Sequence, residues 1–286
     1  MPAPSSATDR RPGLASLSDL ADVWRYRSLI GNFAQRELKS KYKRSLLGWT
    51  WSLINPAATL LIYTVVFATI FRSVPPTAGN GSLASYTVYL FIALVVWTFF
   101  SGVVTSSMAA LIGAGPLLKK IYFPPFVPVL GNGISVLVQS AIELGVLLLV
   151  LVVLTNVSWT VLLLPLVVLL LVLFALGVGL LLALLNVYYR DINYLVSLGL
   201  QLMFYATPIL YPPTLIPERT GGGIPIRALL EINPLFHYVE AARSLLWHLE
   251  APSLAEWALM TTMSVIVFLA GWTVFQRGAR DVSEEL

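Results

Sequence analysis

One acidic side chain lies inside an apolar stretch that is long enough to cross a membrane. Glu143 stands in the run of residues 126–154, with Gln139 one helical turn earlier on the same face and Ser140 beside it. An acid at bilayer depth is costly, so it serves either transport or an interhelical hydrogen-bond cluster that holds the helices together. The sequence leaves both interpretations open. A single acid argues against a proton-coupled carrier, which more often has several.

A basic cluster formed by Arg36, Lys39, Lys43 and Arg44 is the second candidate site. On a helical wheel of residues 28–44, Arg36, Lys39 and Lys43 lie opposite an apolar side, which carries Ile30, Phe33, Ala34, Leu38 and Tyr42. This pattern predicts a basic amphipathic helix on the inner leaflet of a membrane. A juxtamembrane anchor without a further role explains the pattern equally well.

Aromatic residues form a third group. Several Trp residues stand at the ends of apolar runs, where an interfacial belt is the ordinary explanation. Deeper positions are candidates for stacking against the C–H faces of sugar rings in a channel, although packing against lipid explains them as well. The candidate channel residues are Tyr63, Phe67, Tyr89, Trp97, Phe204 and Tyr205.

Several chemistries are excluded. The chain has no cysteine, and its two histidines, His237 and His248, are too few for a His-rich metal site. It lacks the GxxxxGK[ST] phosphate-binding loop, so ATP is not expected to bind here. No arrangement of Ser, His and Asp for nucleophilic catalysis is evident. We therefore expect a protein that is not an enzyme and that holds no cofactor or metal.

The elements that position these residues are membrane spans. Of 286 residues, 57% are hydrophobic and 11% are charged, against about 25% charged in soluble domains. Apolar runs of about 20 residues are needed to cross the hydrocarbon core. They predict an all-α membrane protein with six transmembrane helices, at residues 49–71, 83–112, 126–154, 159–185, 194–210 and 257–275.

The distribution of Lys and Arg predicts the orientation. With the N-terminus inside, fourteen of the eighteen basic residues fall on the cytoplasmic side, and only Arg72, Arg219, Arg227 and Arg243 fall outside. Both termini are therefore expected in the cytoplasm, as an N-terminal segment (1–48) and a tail (276–286) that flank the transmembrane domain (49–275). The basic excess reflects this asymmetry, so no nucleic-acid partner is expected.

The external segment between the fifth and sixth spans is unusual. The fifth span is short and ends in a Pro-rich stretch that begins at Thr207 and Pro208. Further on, Asn233 and Pro234 are typical of a helix start. An apolar face at helical spacing follows, formed by Leu235, Val239, Ala242 and Leu246. This pattern predicts a re-entrant structure followed by an amphipathic helix, because irregular backbone at membrane depth must be buried in protein or line a cavity.

Five segments, in order along the chain, resemble the type-2 ABC exporter permeases that move O-antigen, teichoic acid and related polysaccharides. The match runs from about residue 25 to about residue 275. The segments are RELKSKYKR (36–44) with LGWTW (47–51) and Pro56, LKKIYFP (118–124), YRDI (189–192), TPILYP (207–212), and NPL through Arg243 (233–243). Within this family, the chain also resembles permeases that export a lipid-linked galactan. Pro125 departs from the family, whose members often carry a basic residue there.

The resemblance implies a homodimer in the bacterial plasma membrane that moves a polyprenyl-diphosphate-linked polysaccharide. Two copies of a separate ABC ATPase subunit would bind the ATP and Mg²⁺. The ATPase-coupling loop would comprise Leu118, Lys119, Lys120, Tyr122, Phe123 and Pro124. Arg36, Lys39, Lys43 and Arg44 would meet the diphosphate of the lipid. The external gate region (207–256) would contain Thr207, Pro208, Tyr211, Asn233 and Pro234.

Two alternatives share part of this pattern. A type-2 ABC permease for drugs or small lipids would have the same topology, but the basic amphipathic helix and the run 207–212 favour the polysaccharide permease. A membrane enzyme acting on a polyprenyl lipid would need acidic or His-containing motifs at the cytoplasmic mouth, where only Asp191 is available.

Overall fold

The computed structural model describes residues 22–43, 48–121, 123–189, 191–217, 225–279 and 282. Within these ranges the chain is helical and has no β-strand, which confirms the predicted all-α class for this part. The helices are α1 (Arg27–Tyr42), α2 (Trp51–Tyr63), α3 (Tyr86–Leu118), α4 (Phe126–Val153), α5 (Leu164–Tyr188), α6 (Ile192–Ala206), α7 (Ile226–Glu231), α8 (Pro234–Arg243) and α9 (Leu254–Gly278). Two predicted site residues, Arg44 and Tyr122, lie outside the described ranges.

Five described segments are long and apolar enough to cross a membrane. They are Trp51–Ile70, Tyr86–Leu118, Phe126–Val153, Trp159–Tyr188 and Leu254–Gly278. They correspond to the predicted first, second, third, fourth and sixth spans. Helix α3 has 33 residues and is about 50 Å long, so it ends six residues beyond the predicted span and exceeds the membrane core of about 30 Å.

The predicted fifth span differs from the others. Helix α6 has 15 residues, a length of about 22 Å at 1.5 Å per residue, which is less than the membrane core. The predicted count of six full spans is therefore not confirmed. None of the residues of α6 is buried, so this helix lies at the edge of the bundle.

Helix α3 is the centre of the bundle, because most of its residues are buried against α4, α5 and α8. The outer pair α5 and α9 crosses at two glycines. A side chain at Gly177 would lie 2.6 Å from the carbonyl oxygen of Val267, and the nearest neighbour of Gly271 is the backbone of Gly177. Small residues at such crossings let the helix backbones pack closely in a membrane.

Helix α1 runs alongside the first half of α4. Its apolar side is buried, with Ile30, Phe33 and Ala34 each at 4–5% exposure, whereas Arg36 and Lys39 are exposed. At these positions the buried side is apolar and the exposed side is basic. The location of α1 on a membrane surface stays a prediction.

Candidate gate and transmembrane pathway

The chain leaves helical geometry where α6 ends. Thr207 is extended, with φ −94° and ψ 136°, because the ring of the following Pro208 disfavours the helical conformation at the preceding residue. From there to residue 217 the backbone forms turns and one short 3₁₀ helix, Pro213–Leu215. Residues 207–210 are nevertheless buried, so their backbone carbonyls need partners other than water.

Arg243, at the end of α8, supplies two of these partners. Its guanidinium donates from Nη1 to the carbonyl oxygen of Pro208 (2.6 Å) and from Nη2 to that of Ile209 (3.0 Å). It also donates to Glu240 Oε1 (2.9 Å) and lies 4.0 Å from the ring centroid of Tyr89. The side chain of Arg243 is fully buried. The guanidinium of Arg243 therefore connects the residues that follow α6 to both α8 and α3.

The remaining predicted gate residues gather around the same turn. Asn233 Nδ2 donates to Thr207 Oγ1 (2.8 Å), and the Tyr211 hydroxyl donates to the carbonyl oxygen of Tyr205 (2.9 Å). Asn233 also caps α8 by accepting from the Leu235 amide (3.0 Å), with Pro234 at the first helical position, which confirms the predicted helix start. We call Thr207, Pro208, Tyr211, Asn233, Pro234 and Arg243 the gate cluster.

Beyond α8 the helix widens into π-type turns at Ser244–His248, and side chains from other elements again satisfy the backbone. Asn156 Nδ2 donates to the Leu246 carbonyl (2.9 Å), and the Thr160 hydroxyl donates to the Leu245 carbonyl (2.8 Å). The predicted apolar face of this segment is confirmed, because Leu235, Val239, Ala242 and Leu246 are all buried.

The positive-inside count placed Arg243 among the external basic residues, and it was not named with the predicted gate residues, although the segment that resembles the gate region ends at it. Its side chain is buried in the structure, so it is not a solvent-exposed charge. A signal was present: Arg243 lies four residues after Val239 and three before Leu246, so it shares the buried face of the helix. A cation at such a position needs buried acceptors.

The predicted channel aromatics divide into two groups. Five of them form a chain of ring contacts across α2, α3 and α6, since Phe204 lies 6.4 Å from Tyr63, 5.4 Å from Trp97 and 5.3 Å from Tyr205. Phe67 joins through Tyr63 at 6.3 Å. Tyr89 is linked to Phe67 through Tyr86, with ring centroids 6.1 Å apart in each pair, but it is 1% exposed and lies in the protein core beneath Arg243.

One face of α6 is polar and uncovered. Asn193, Ser197, Gln201 and Tyr205 recur at four-residue spacing, and all four are exposed. The neighbouring helix α2 is also uncovered, with Leu61 at 65% and Ile62 at 59% exposure. A polar stripe on a short apolar helix is costly against lipid. This face therefore suits contact with water or with another protein surface.

The intramembrane acid belongs to a second polar region. Glu143 is 5% exposed and accepts a hydrogen bond of 3.2 Å from Thr98 of α3. Gln139, one turn away, accepts from the ammonium of Lys41 (2.6 Å). The structure therefore places the end of α1 against Gln139, one turn from the predicted acid, through a contact between residues far apart in the sequence.

The predicted coupling loop lies at the opposite end of the bundle from the gate cluster. Lys119 and Lys120 are exposed, while Phe123 is buried with its ring 5.6 Å from that of Phe33 in α1. Pro124 is half-buried. The loop thus docks on α1 through an aromatic contact and leaves its cations free to meet a partner. Arg36, Lys39 and Lys43 of the basic cluster are exposed.

Comparison with known proteins places the chain among transporters. A family model described as ABC-2 type transporter matches residues 29–247. The O-antigen export system permease protein RfbA of Myxococcus xanthus is 27% identical over 93% of this chain and 98% of its own length. A protein of the same name from Klebsiella pneumoniae is 33% identical, over 76% and 79%. The polysialic acid transport protein KpsM of Escherichia coli is 23% identical, over 82% and 88%.

The role of Arg243 is tested by Arg243→Met, which keeps apolar volume but leaves the carbonyls of Pro208 and Ile209 without their donors. We expect a loss of about 2–5 kcal/mol in the free energy of unfolding, measured as a lower midpoint of thermal unfolding in detergent. The control is Arg227→Met, which removes an ion pair that is 49% and 46% exposed and should cost no more than about 1 kcal/mol. Equal shifts in the two variants would contradict the assigned role.

Proposed function

Because the chain belongs to the ABC-2 type transporter family, whose model matches residues 29–247, we propose that it is the permease subunit of a polysaccharide exporter. The supporting observation is its similarity, over most of both chains, to proteins named for O-antigen export and polysialic acid transport. Family membership and five apolar helices make it a multi-pass protein of the inner membrane. A drug or small-lipid exporter is not favoured by the relatives reported above.

Family membership implies an ABC ATPase as partner. In our proposal two copies of that subunit bind ATP and Mg²⁺ and push on the coupling loop at residues 118–124. The exposed Lys119 and Lys120 would form polar contacts with the ATPase, and Phe123 would pass the movement to α1 through its contact with Phe33. This chain would supply the pathway and no catalytic group.

The pathway in this proposal forms between two copies of the chain. The uncovered faces of α2 and α6 support a second copy, because the polar stripe of α6 would then line a shared conduit instead of facing lipid. The ring contacts from Tyr63 to Tyr205 would offer sugar rings an uncharged stacking surface along it. The gate cluster would close the external end, and both termini would be cytoplasmic.

The proposed substrate is a polysaccharide on a polyprenyl-diphosphate lipid. Arg36, Lys39 and Lys43 support this assignment, since three exposed cations on α1 and directly after its end suit a diphosphate at the inner surface of a membrane. They would act where the lipid enters the exporter.

Depletion of this chain in its native host tests the proposal as a whole. We expect a lipid-linked glycan to accumulate inside the cell, because synthesis continues while export stops. Extraction of lipids followed by mass spectrometry identifies the accumulated species. Depletion of a membrane protein from another family is the control for general damage. Accumulation of a drug or small lipid, with no glycan, would contradict the proposal.

The basic cluster is tested by complementation with a variant carrying Arg36→Gln, Lys39→Gln and Lys43→Gln. Loss of charge-assisted contacts to a diphosphate predicts a fall in export of about tenfold or more, equivalent to about 1.4 kcal/mol. The matched variant Arg36→Lys, Lys39→Arg and Lys43→Arg keeps the charge and should retain most export. Unchanged export in the Gln variant, at normal protein level, would exclude the diphosphate role.

The shared conduit is tested by single cysteines, since the chain has none of its own. Ser197→Cys lies on the polar stripe of α6, and Ile266→Cys lies on α9 at a position that is 60% exposed. A short bifunctional thiol reagent applied to membranes should link two copies of the Ser197→Cys variant and not two copies of the Ile266→Cys variant, as read by electrophoresis. Linkage only through position 266 would place the interface elsewhere.

A further inference from the structure

A groove of about 620 Å³ lies between α1, α2, α3 and α4, within the size range of ligand-binding pockets. Polar side chains follow it at three- or four-residue spacing, so they share one face on each helix. They are Thr98, Ser101 and Thr105 of α3, and Ser135, Gln139 and Glu143 of α4. We call this the polar groove. It is separate from the uncovered polar stripe of α6.

The free hydrogen-bonding capacity of the polar groove is mostly of one kind. The hydroxyls of Ser101, Thr105 and Ser135 each donate to a carbonyl of their own helix at 2.8 Å. A hydroxyl has one hydrogen and two lone pairs, so what these side chains still offer is acceptors. Among the described residues, Thr98 is the one donor to the Glu143 carboxylate. Such a lining is complementary to a ligand that carries several O–H donors.

The end of the groove near α1 carries charges of both signs, the carboxylate of Glu37 and the ammonium of Lys41. Lys41, which is exposed, spans this end and donates to Gln139 Oε1 (2.6 Å), which leaves two of its three ammonium hydrogens for another acceptor. Apolar side chains, including Leu60 of α2 and Leu94 of α3, also line the groove, and we call them its apolar wall. Acceptors along the groove, a cation at one end and an apolar wall together match a hydroxylated head attached through phosphate to a lipid.

We infer that the polar groove binds the sugar residue next to the phosphate of the lipid carrier, once in each copy of the chain and outside the shared conduit. The sugar hydroxyls donate to Glu143 and to the free lone pairs of Ser101 and Thr105. Lys41 meets the phosphate after the lipid has passed the entry cations Arg36, Lys39 and Lys43, and the lipid chain then lies against the apolar wall. The inference rests on the proposed function, because it assumes that the exported glycan is lipid-linked.

The absence of cysteine from the sequence allows a direct test. Thr105→Cys lies in the groove, and Val138→Cys is the control on α4, at a position that is 38% exposed and outside the lining. The full permease–ATPase complex is placed in lipid nanodiscs and treated with a water-soluble methanethiosulfonate. We expect the thiol at position 105 to react faster than the thiol at position 138, because a polar groove admits water. Equal or slower reaction at position 105 would overturn the inference.

The class of ligand is then tested in the Thr105→Cys variant. Each probe is added below its micelle-forming concentration, and the measurement is how far it slows the reaction of the thiol with the methanethiosulfonate. Dodecyl β-D-glucoside should slow the reaction by about fivefold at about four times its Kd, and adding Glu143→Gln should reduce this protection. Lysophosphatidylethanolamine, which carries a phosphate and a chain but no sugar, should protect less than the glucoside, because in the inferred complex the sugar is the part that lies beside Thr105. Free glucose, which has no chain, should protect little. Equal or better protection by lysophosphatidylethanolamine would indicate an ammonium-headed lipid, and equal protection by free glucose would indicate a water-borne sugar. Either result would overturn the inference.

These outcomes are distinguishable from failure of the proposed function. If depletion of the chain accumulates a lipid-linked glycan while the glucoside gives no protection, export stands and the polar groove is not its sugar site. If no glycan accumulates but the glucoside protects, the groove binds sugars without serving glycan export, which would also overturn the inference as stated.

Discussion

Backbone polar groups inside a membrane have to find partners within the protein, and the rest of this structure depends on how that requirement is met where helices break. Regular helices satisfy their own amides and carbonyls. At the end of α6 the chain turns instead, and buried side chains take over: Arg243 for the carbonyls of Pro208 and Ile209, and Tyr86 for that of Leu210. Asn156 and Thr160 do the same after α8. Irregular backbone is held in place by a few hydrogen bonds, each from a specific residue.

This arrangement separates a rigid frame from a part that is suited to move. Helices α3, α5 and α9 are long and closely packed, with glycines at the α5–α9 crossing. Ring contacts hold α6 against its neighbours, and side-chain hydrogen bonds hold the turn that follows, so both can move without the unwinding of a packed helix. In the proposed exporter, a displacement of the coupling loop would move the packed helices as one rigid body. The gate cluster at their other end would therefore be the part that rearranges.

Much of the fold could be predicted from the sequence, for local reasons. Apolar runs locate the five long helices, and Asn233 with Pro234 marks the start of α8 because capping needs only neighbouring residues. Prediction from the sequence is weaker where the environment of a side chain depends on residues far away in the chain. The carbonyl acceptors of Arg243 could not be identified because they lie 34 and 35 positions away, and Tyr89 was assigned to a channel although it packs beneath that guanidinium. The contact of Lys41 with Gln139 spans 98 positions, so no local pattern indicates it. Family resemblance supplied the gate and coupling segments, and neither is tested by the fold alone.

Hydrogen exchange of the permease–ATPase complex tests most directly the claim that the broken segment after α6 is the moving gate. Exchange is followed by mass spectrometry in nanodiscs, without nucleotide and with ATP bound to a hydrolysis-deficient partner. Peptides covering residues 207–217 should exchange faster in the ATP-bound complex, because their side-chain partners are released, while peptides from α5 should not change. The same slow exchange of residues 207–217 in both states, in a complex that binds ATP, would contradict the account.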